Sequence, residues 1–288
     1  MRYLKRGIFR RTCSLAMFTK VARLVSVARI VVVASLVIIA TVASGGERAN
    51  AAPASGTDSP AADALWNRAV AVAGRNRNWV ARSFTEDRQV FNEDEELKEK
   101  TFTRFAVVGA ARSALRLRVE SSVKNGEDNL TAARAELAKR ESRNQDKKDP
   151  ENPFAPENQS RVTHKALDPT RDLTVNGVRL KAFAFTQTTD RGVWDGVAYL
   201  DPRTGIPGRL RSAARIPTLP PPVDEAEKKV KLHSLVVVVD YATSDPAQWR
   251  ATGMQLNMKI SIPIAPFITF DGIVRNRYDF QNYERVPD

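Results

Sequence analysis

The chain has 288 residues and a formal net charge of +12, from 45 Lys and Arg residues against 33 Asp and Glu residues. Residues 1–51 hold nine of the basic residues and one acidic residue, so the remaining 36 basic and 32 acidic residues nearly balance. The excess charge belongs mainly to this N-terminal leader, and the rest of the chain has no general electrostatic attraction for nucleic acid. Cys13 is the single cysteine, so a chain without the leader has no disulfide, thiolate zinc site or thiol nucleophile.

The leader has the order of a secretory signal peptide, with basic residues first, an apolar run next and small residues last. Residues 30–43 are apolar and uncharged, and residues 49–51 form an A-x-A cleavage pattern. This order predicts that residues 1–51 are cleaved and that the chain from residue 52 reaches the periplasm. The alternative is an uncleaved inner-membrane anchor at residues 30–46, although its 14-residue apolar run would cover only about 21 Å of a hydrocarbon core of roughly 30 Å.

Two translation starts are compatible with this leader. A start at Met1 includes a long basic region with the pair Arg10-Arg11, whereas a start at Met17 gives a more ordinary signal peptide. Both starts stay open. Membrane contact is expected only through the leader before cleavage.

After a small-residue linker at residues 52–60, the sequence predicts one helix and then a long series of strands. Pro60 suits the first turn of a helix, and Gly74 is placed to end a helix over residues 61–73. From residue 79 the pattern changes to a period of two, which predicts strands with one apolar and one wet face. Strands are predicted at residues 79–91, 98–108, 115–123, 161–167, 179–187, 193–200, 208–213, 232–241, 254–262 and 273–286.

An insertion at residues 127–160 interrupts these strands. It begins with a short helix at residues 128–141 and continues as a charged loop with three prolines, in which Phe154 is the predicted anchor. A second Pro-rich connection runs through residues 217–222. Residues 61–288 are therefore expected to form a single, mainly β (α+β) domain with an antiparallel sheet.

Several local motifs resemble those of a known family. The turn Asn125-Gly126 precedes the charged helix, Asn152-Pro153-Phe154 follows it, and residues 192–207 are similar to a strand–turn–strand pattern that reads G-x-x-x-x-D-x-x-T-G-x-P. Aromatic residues mark the closing strands, at Tyr241, Trp249 and residues 278–283. In these features residues 61–288 resemble the LolA-like family of outer-membrane lipoprotein-sorting proteins. The resemblance implies a strongly curved, unclosed antiparallel half-barrel, with a helix packed in its concave face and a hydrophobic cavity for acyl chains.

Few residues carry catalytic or metal chemistry. The two histidines, His164 and His233, lie in separate predicted strands without H-x-x-x-H spacing, and no G-x-S-x-G turn is present. The acidic residues 93–96 are predicted to form a solvated hairpin tip, and the basic residues near 275–278 to lie on the outer face of the last strand. We therefore expect no enzyme activity, cofactor, metal site or nucleic-acid partner; a hydrolase with a catalytic histidine is the least favoured alternative.

The segment at residues 261–270 is apolar and contains Pro263 and Pro266, which prevent a regular central strand. It is predicted either to pack in the core or to form a lid over a cavity. The residues expected to line such a cavity are Phe183, Phe185, Trp194, Leu256, Met258, Ile260, Phe267 and Phe270.

Two functions follow from this interpretation. The first is a non-enzymatic periplasmic protein that binds a lipid or a lipidated protein in the cavity, as a lipoprotein carrier does. The second is an envelope sensor or protein-interaction module on the same fold, with an envelope protein as its partner and the cavity filled by its own side chains.

Overall fold

A computed structural model describes residues 60–109, 115–141, 152–175, 177–190, 192–216, 230–242, 245–265 and 268–287. The predicted signal peptide, the linker up to residue 59, the first half of the charged loop and the Pro-rich connection at residues 217–222 lie outside these residues. The described elements comprise two α-helices, twelve strands and three short 3₁₀ helices. Their order is α1 (Pro60–Asn76), β1 (Trp79–Asn92), β2 (Leu97–Val108), β3 (Arg116–Lys124), β4 (Glu127–Asp128), α2 (Leu130–Glu141), a 3₁₀ helix (Pro156–Arg161), β5 (Val162–Ala166), a 3₁₀ helix (Pro169–Arg171), β6 (Leu173–Val175), β7 (Val178–Thr189), β8 (Gly192–Leu200), β9 (Pro207–Ala214), β10 (Lys231–Tyr241), a 3₁₀ helix (Pro246–Gln248), β11 (Ala251–Ala265) and β12 (Ile268–Arg285).

The strands form an antiparallel sheet in the order β4-β3-β2-β1-β12-β11-β10-β9-β8-β7-β5, with β6 also paired to β7. Within the described residues no pairing joins β4 to β5, so the sheet is an unclosed half-barrel. Alternate residues of each strand face the core, and we call this side the inner face and the opposite side the outer face. The predicted fold class, a mainly β half-barrel with few helices, is confirmed.

Helix α1 packs on the inner face beside β7 and β8. Its buried residues Leu65, Trp66, Ala69 and Val72 recur at helical spacing, which makes one apolar stripe toward the sheet. The prediction that Gly74 ends this helix is wrong, because α1 continues to Asn76. The Asn76 side chain donates hydrogen bonds to the carbonyls of Val72 and Pro246, both at 2.8 Å, and so holds the last turn.

The turn between β8 and β9 brings the sheet against α1. Gly205 has φ +77°, as the predicted turn requires, and a Cβ atom there would lie 2.6 Å from the Cβ of Arg68. The Arg68 guanidinium donates to the carbonyl oxygens of Pro202 and Arg203 at 3.2 and 3.4 Å. Glycine at this position therefore permits both the left-handed backbone and the close approach of the helix.

The insertion contributes a helix, a short strand and an anchor. Helix α2 packs along the edge strand β3, where the Asn129 backbone N–H donates to the Ser122 carbonyl at 2.8 Å and the Arg134 side chain to the Val119 carbonyl at 3.3 Å. Phe154 is 0% exposed, which confirms the predicted anchor. Among the described residues neither helix has the length and apolar character needed to cross a membrane.

Strand β11 continues further than the sequence indicates. It runs through Pro263 to Ala265, but its pairing with β10 ends at Ser261, so beyond this residue β12 is the one strand of the described structure that pairs with it. Pro263 thus lies beyond the described pairing with β10, and the register with β12 shifts just after it. Pro266 and Phe267 lie outside the described residues.

Candidate functional site on the inner face of the sheet

The structure places the described members of the predicted cavity on one face. Cross-strand partners share a face, and the pairs Phe183–Ala198, Phe185–Gly196 and Gln187–Trp194 join β7 to β8 on the inner side. Five of the predicted residues are almost completely buried, and Trp194 and Phe270 are partly buried against the same core. Their role in lining a ligand cavity stays a prediction. The five buried residues are Phe183, Phe185, Leu256, Met258 and Ile260.

An aromatic cluster fills the inner face at the β7 end, and its members are Trp66, Phe154, His164, Phe183 and Phe185. The Trp66 ring stacks on His164 with centroids 4.4 Å apart, and its centroid lies 4.9 Å from that of Phe154. The rings of Phe183 and Phe185 lie at 6.0 and 6.2 Å from the same indole. Side chains of α1 and the insertion therefore occupy the space next to two of the predicted cavity residues.

Polar contacts fix this cluster in place. The Trp66 indole N–H donates to Gln159 Oε1 at 3.0 Å, and Gln159 in turn donates to the carbonyls of Pro153 and Ala155. His164 Nε2 lies 3.4 Å from Asp63 Oδ1 at the start of α1. The arrangement suits a structural histidine, because its ring is packed face to face against the indole.

An apolar strip occupies the middle of the inner face, and it consists of Met254, Leu256, Met258, Ile260 and Ile262 of β11 with their inward neighbours on β10 and β12. All five are at most 3% exposed. Methionine side chains adapt readily to neighbours of different shape. At one end of the strip the ring of Tyr241 stacks on Trp249 at 4.6 Å, and burial raises the pKa of this phenol well above its usual range.

A polar network borders this strip on β1, β2, β3 and β12, and it consists of Glu86, Arg88, Glu99, Lys124, Asn276 and Tyr278. The Tyr278 hydroxyl donates to Glu86 Oε1 at 2.8 Å, and the Asn276 side-chain amide donates to the same hydroxyl at 3.2 Å. Arg88 forms a short ion pair with Glu99, whose second oxygen lies 2.9 Å from Lys124 Nζ. Glu86, Arg88, Glu99 and Asn276 are each at most 7% exposed.

A small cavity of about 50 Å³ lies between this network and α2. Its walls are mixed, with Glu86, Arg88, Thr103 and Ser122 from the sheet and Glu136 among the residues from α2. The Thr103 and Ser122 hydroxyls are hydrogen-bonded to each other at 3.0 Å. A space of this size holds roughly one or two water molecules, and its walls offer them both donors and acceptors.

The second histidine, His233, does not belong to a catalytic triad. His233 Nε2 lies 2.5 Å from Ser261 Oγ, and the Ser261 hydroxyl donates to Asp271. In a catalytic triad the carboxylate contacts the histidine, whereas here it contacts the serine, so the three residues do not form the relay of a serine hydrolase. No group of three or more potential ligands for a metal ion occurs among the described residues.

The charged segments singled out in the sequence lie in solvent. Residues 93–96 form the exposed tip between β1 and β2, as predicted. Arg275 and Arg277 lie on the outer face of β12 and pair with Glu95 and Asp279 at 3.1 and 3.2 Å. These contacts agree with the predicted solvated surface.

The chain was compared with protein-family models, curated proteins and solved structures. No protein-family model and no curated protein matches the chain. One solved structure to which it is similar is the crystal structure of MucB in complex with MucA(peri), with 11% sequence identity and a TM-score of 0.23. The likeness covers 79% of this chain and 100% of that chain. At these values the comparison assigns no family to the chain, and the resemblance to LolA-like proteins stays a prediction.

Proposed function

We propose that the chain is an exported, non-enzymatic protein of the periplasm that binds a lipid or a lipidated protein against the inner face of its half-barrel. The observation that carries this proposal is that an apolar region and a polar region lie side by side on that face. The apolar strip ends beside the polar network and its cavity, an order that matches an acyl chain followed by a polar head group. The leader sequence supports export.

Binding would work by burial and needs no covalent step or cofactor. Each CH₂ group transferred from water to the apolar strip contributes about 0.8 kcal/mol. Part of this energy is spent in displacing the side chains and elements that cover the strip. Helix α2 lies beside the polar network next to the strip, and it can move more readily than the strands because its apolar residues Leu130, Ala133 and Leu137 are only partly buried.

The test uses residues 52–288, which retain every described element and core residue. The protein is purified without detergent, extracted with organic solvent and examined by mass spectrometry, and its tryptophan fluorescence is followed on addition of a fatty acid. We expect a co-purified lipid and a saturable shift in fluorescence. No lipid together with no fluorescence shift would remove the proposal.

A pair of variants locates the site. Phe270→Lys places a charge at a partly buried position on the inner side of β12, where Phe270 pairs with Ile262, and should weaken fatty-acid binding. Lys259→Glu changes a charge on the outer face of β11 and should leave binding unchanged. Equal effects of the two substitutions would contradict binding on the inner face.

The second candidate is an envelope sensor or protein-interaction module, and the aromatic cluster favours it. Trp66 and Phe154, both 0% exposed, already occupy the hollow beside β7 and leave less room for an acyl chain there. On this alternative the extraction yields no lipid, and the protein instead binds an envelope protein.

A further inference from the structure

The outer face of β2 and β3 carries an unusual set of exposed apolar side chains. Among the described residues five large hydrophobic side chains are strongly exposed, and four of them belong to these two strands. Phe102 and Val123 are each 41% exposed and are direct cross-strand partners. Val108 is 37% exposed, and Leu97 is 52% exposed at the start of β2. Apolar side chains grouped in this way on a surface commonly mark an interaction site.

Basic residues lie between these apolar side chains on the same face. Arg104 is paired with Ser121, two residues along β2 from Phe102, and Arg116 is paired with Val108. We call Phe102, Arg104, Val108, Arg116 and Val123 the outer patch. Since Thr103 and Phe105 of the same strand face the core, the outer patch lies on the side of the sheet opposite the polar network.

The two arginines of the outer patch have no acidic partner within the part of the chain that the structure describes. The other basic residues of these strands are paired: Lys98 with Glu96 at 2.6 Å, Lys100 with Asp87 at 3.4 Å, Arg118 with Glu120 at 3.3 Å and Lys124 with Glu99 at 2.9 Å. Arg104 and Arg116 are exposed and take part in no such contact. Their guanidinium groups are therefore available to an anionic partner, in particular to phosphate, which arginine binds with two parallel hydrogen bonds.

We propose that the outer patch docks the protein on an anionic phospholipid membrane. The apolar side chains would enter the head-group region, and Arg104 and Arg116 would bind lipid phosphates beside them, which is the combination that holds proteins at membrane interfaces. The leader predicts export into a compartment bounded by such membranes. This membrane contact of the folded domain would be additional to the contact expected of the leader before its cleavage.

Flotation with lipid vesicles tests the proposal, again with residues 52–288, so that the leader does not contribute. The wild-type protein should float with phosphatidylcholine vesicles that contain phosphatidylglycerol and should not float with phosphatidylcholine alone. Arg104→Gln with Arg116→Gln should weaken binding by about tenfold or more, given the attraction of each basic residue to an anionic surface. Phe102→Ser with Val123→Thr should weaken binding at all salt concentrations. In about 0.5 M NaCl, where the screening length is roughly 4 Å, wild-type binding should fall strongly.

A matched control removes the same amount of charge elsewhere on the outer face. Arg211 on β9 and Lys259 on β11 are also exposed, and within the described residues neither forms an ion pair. Arg211→Gln with Lys259→Gln should therefore leave flotation unchanged, while circular dichroism checks that every variant is folded. Absence of wild-type flotation, equal flotation with both vesicle types, or equal loss in the control pair would each overturn the proposal. None of these outcomes depends on a lipid bound to the inner face.

Discussion

The carboxylate of Glu99 lies on the inner face at 4% exposure, between the guanidinium of Arg88 and the ammonium group of Lys124. Burial of a charge is tolerated only when its partners are in place, because the charge has lost its hydration. Lys124 retains 22% exposure of its side chain and can be hydrated without its partner, whereas Arg88 has only 7%. Glu99 is therefore the member of this set on which the others depend most.

We predict that Glu99→Leu lowers the free energy of unfolding by about 3–5 kcal/mol, because it leaves Arg88 buried without its carboxylate. The double variant Arg88→Met with Glu99→Leu should recover part of this loss, since no buried guanidinium then remains. Urea denaturation of the two single variants and the double variant measures the coupling. Costs that simply add in the double variant would show that the pair is not coupled.

The polar network was not predicted from the sequence, although the alternation of β1 shows that two of its members face inward. Glu86 and Arg88 share the parity of Phe84 and Val90 on β1, so the alternation of that strand already points both charged residues inward. What the sequence cannot supply is the partner. Tyr278 contacts Glu86 from a strand 192 residues away, and only the position of β12 next to β1 brings the two together.

At the scale of elements, the strands with clear alternation were predicted well. The ten predicted strands correspond to β1, β2, β3, β5 and β7–β12, because each has enough residues for a period of two to be visible. Strands β4 and β6 have two and three residues, too few to show a period. The end of α1 was missed for a different reason, since Asn76 is held by a contact with Pro246 that is remote in sequence.

Phe154 is a large, fully buried side chain that holds the insertion to the core. Phe154 is fully buried against Trp66, so Phe154→Ala should lower the free energy of unfolding by about 3–5 kcal/mol, through lost burial and the cavity left behind. The matched control is Phe102→Ala, which removes an equal number of atoms from a side chain that is 41% exposed. Chemical denaturation measures both variants, and a similar loss in the two would contradict the role of Phe154 as an anchor.

At the scale of the whole molecule, one continuous hydrophobic core joins α1, the insertion and the sheet. The buried cluster extends from Ala62 and Trp66 through the inner residues of β1–β3 to Val286, just after β12. The described parts of the chain show no second core that would unfold independently. The cysteine-free chain from residue 52 also has no disulfide to hold one part when another unfolds.

We therefore predict that residues 52–288 unfold in one cooperative transition. Far-ultraviolet circular dichroism, which reports on the strands, and tryptophan fluorescence, which reports on the buried Trp66 and Trp249, should give the same midpoint in urea. A reducing agent should not change that midpoint. Two separated transitions would show that the sheet and the aromatic cluster fold as distinct units.

The two edges of the sheet are unequal, and this limits how copies of the protein can assemble. At one edge β4 and α2 occupy some of the hydrogen-bonding groups of β3, from Val119 to Lys124, while at the other the outer side of β5 has no strand beside it in the described structure. Two copies that joined through β5 would form a two-fold pair with both covered edges turned outward. In the described residues the outward edge of each copy is already partly occupied, which disfavours the addition of a third copy. The asymmetry of the half-barrel thus favours a closed dimer over an open fibre.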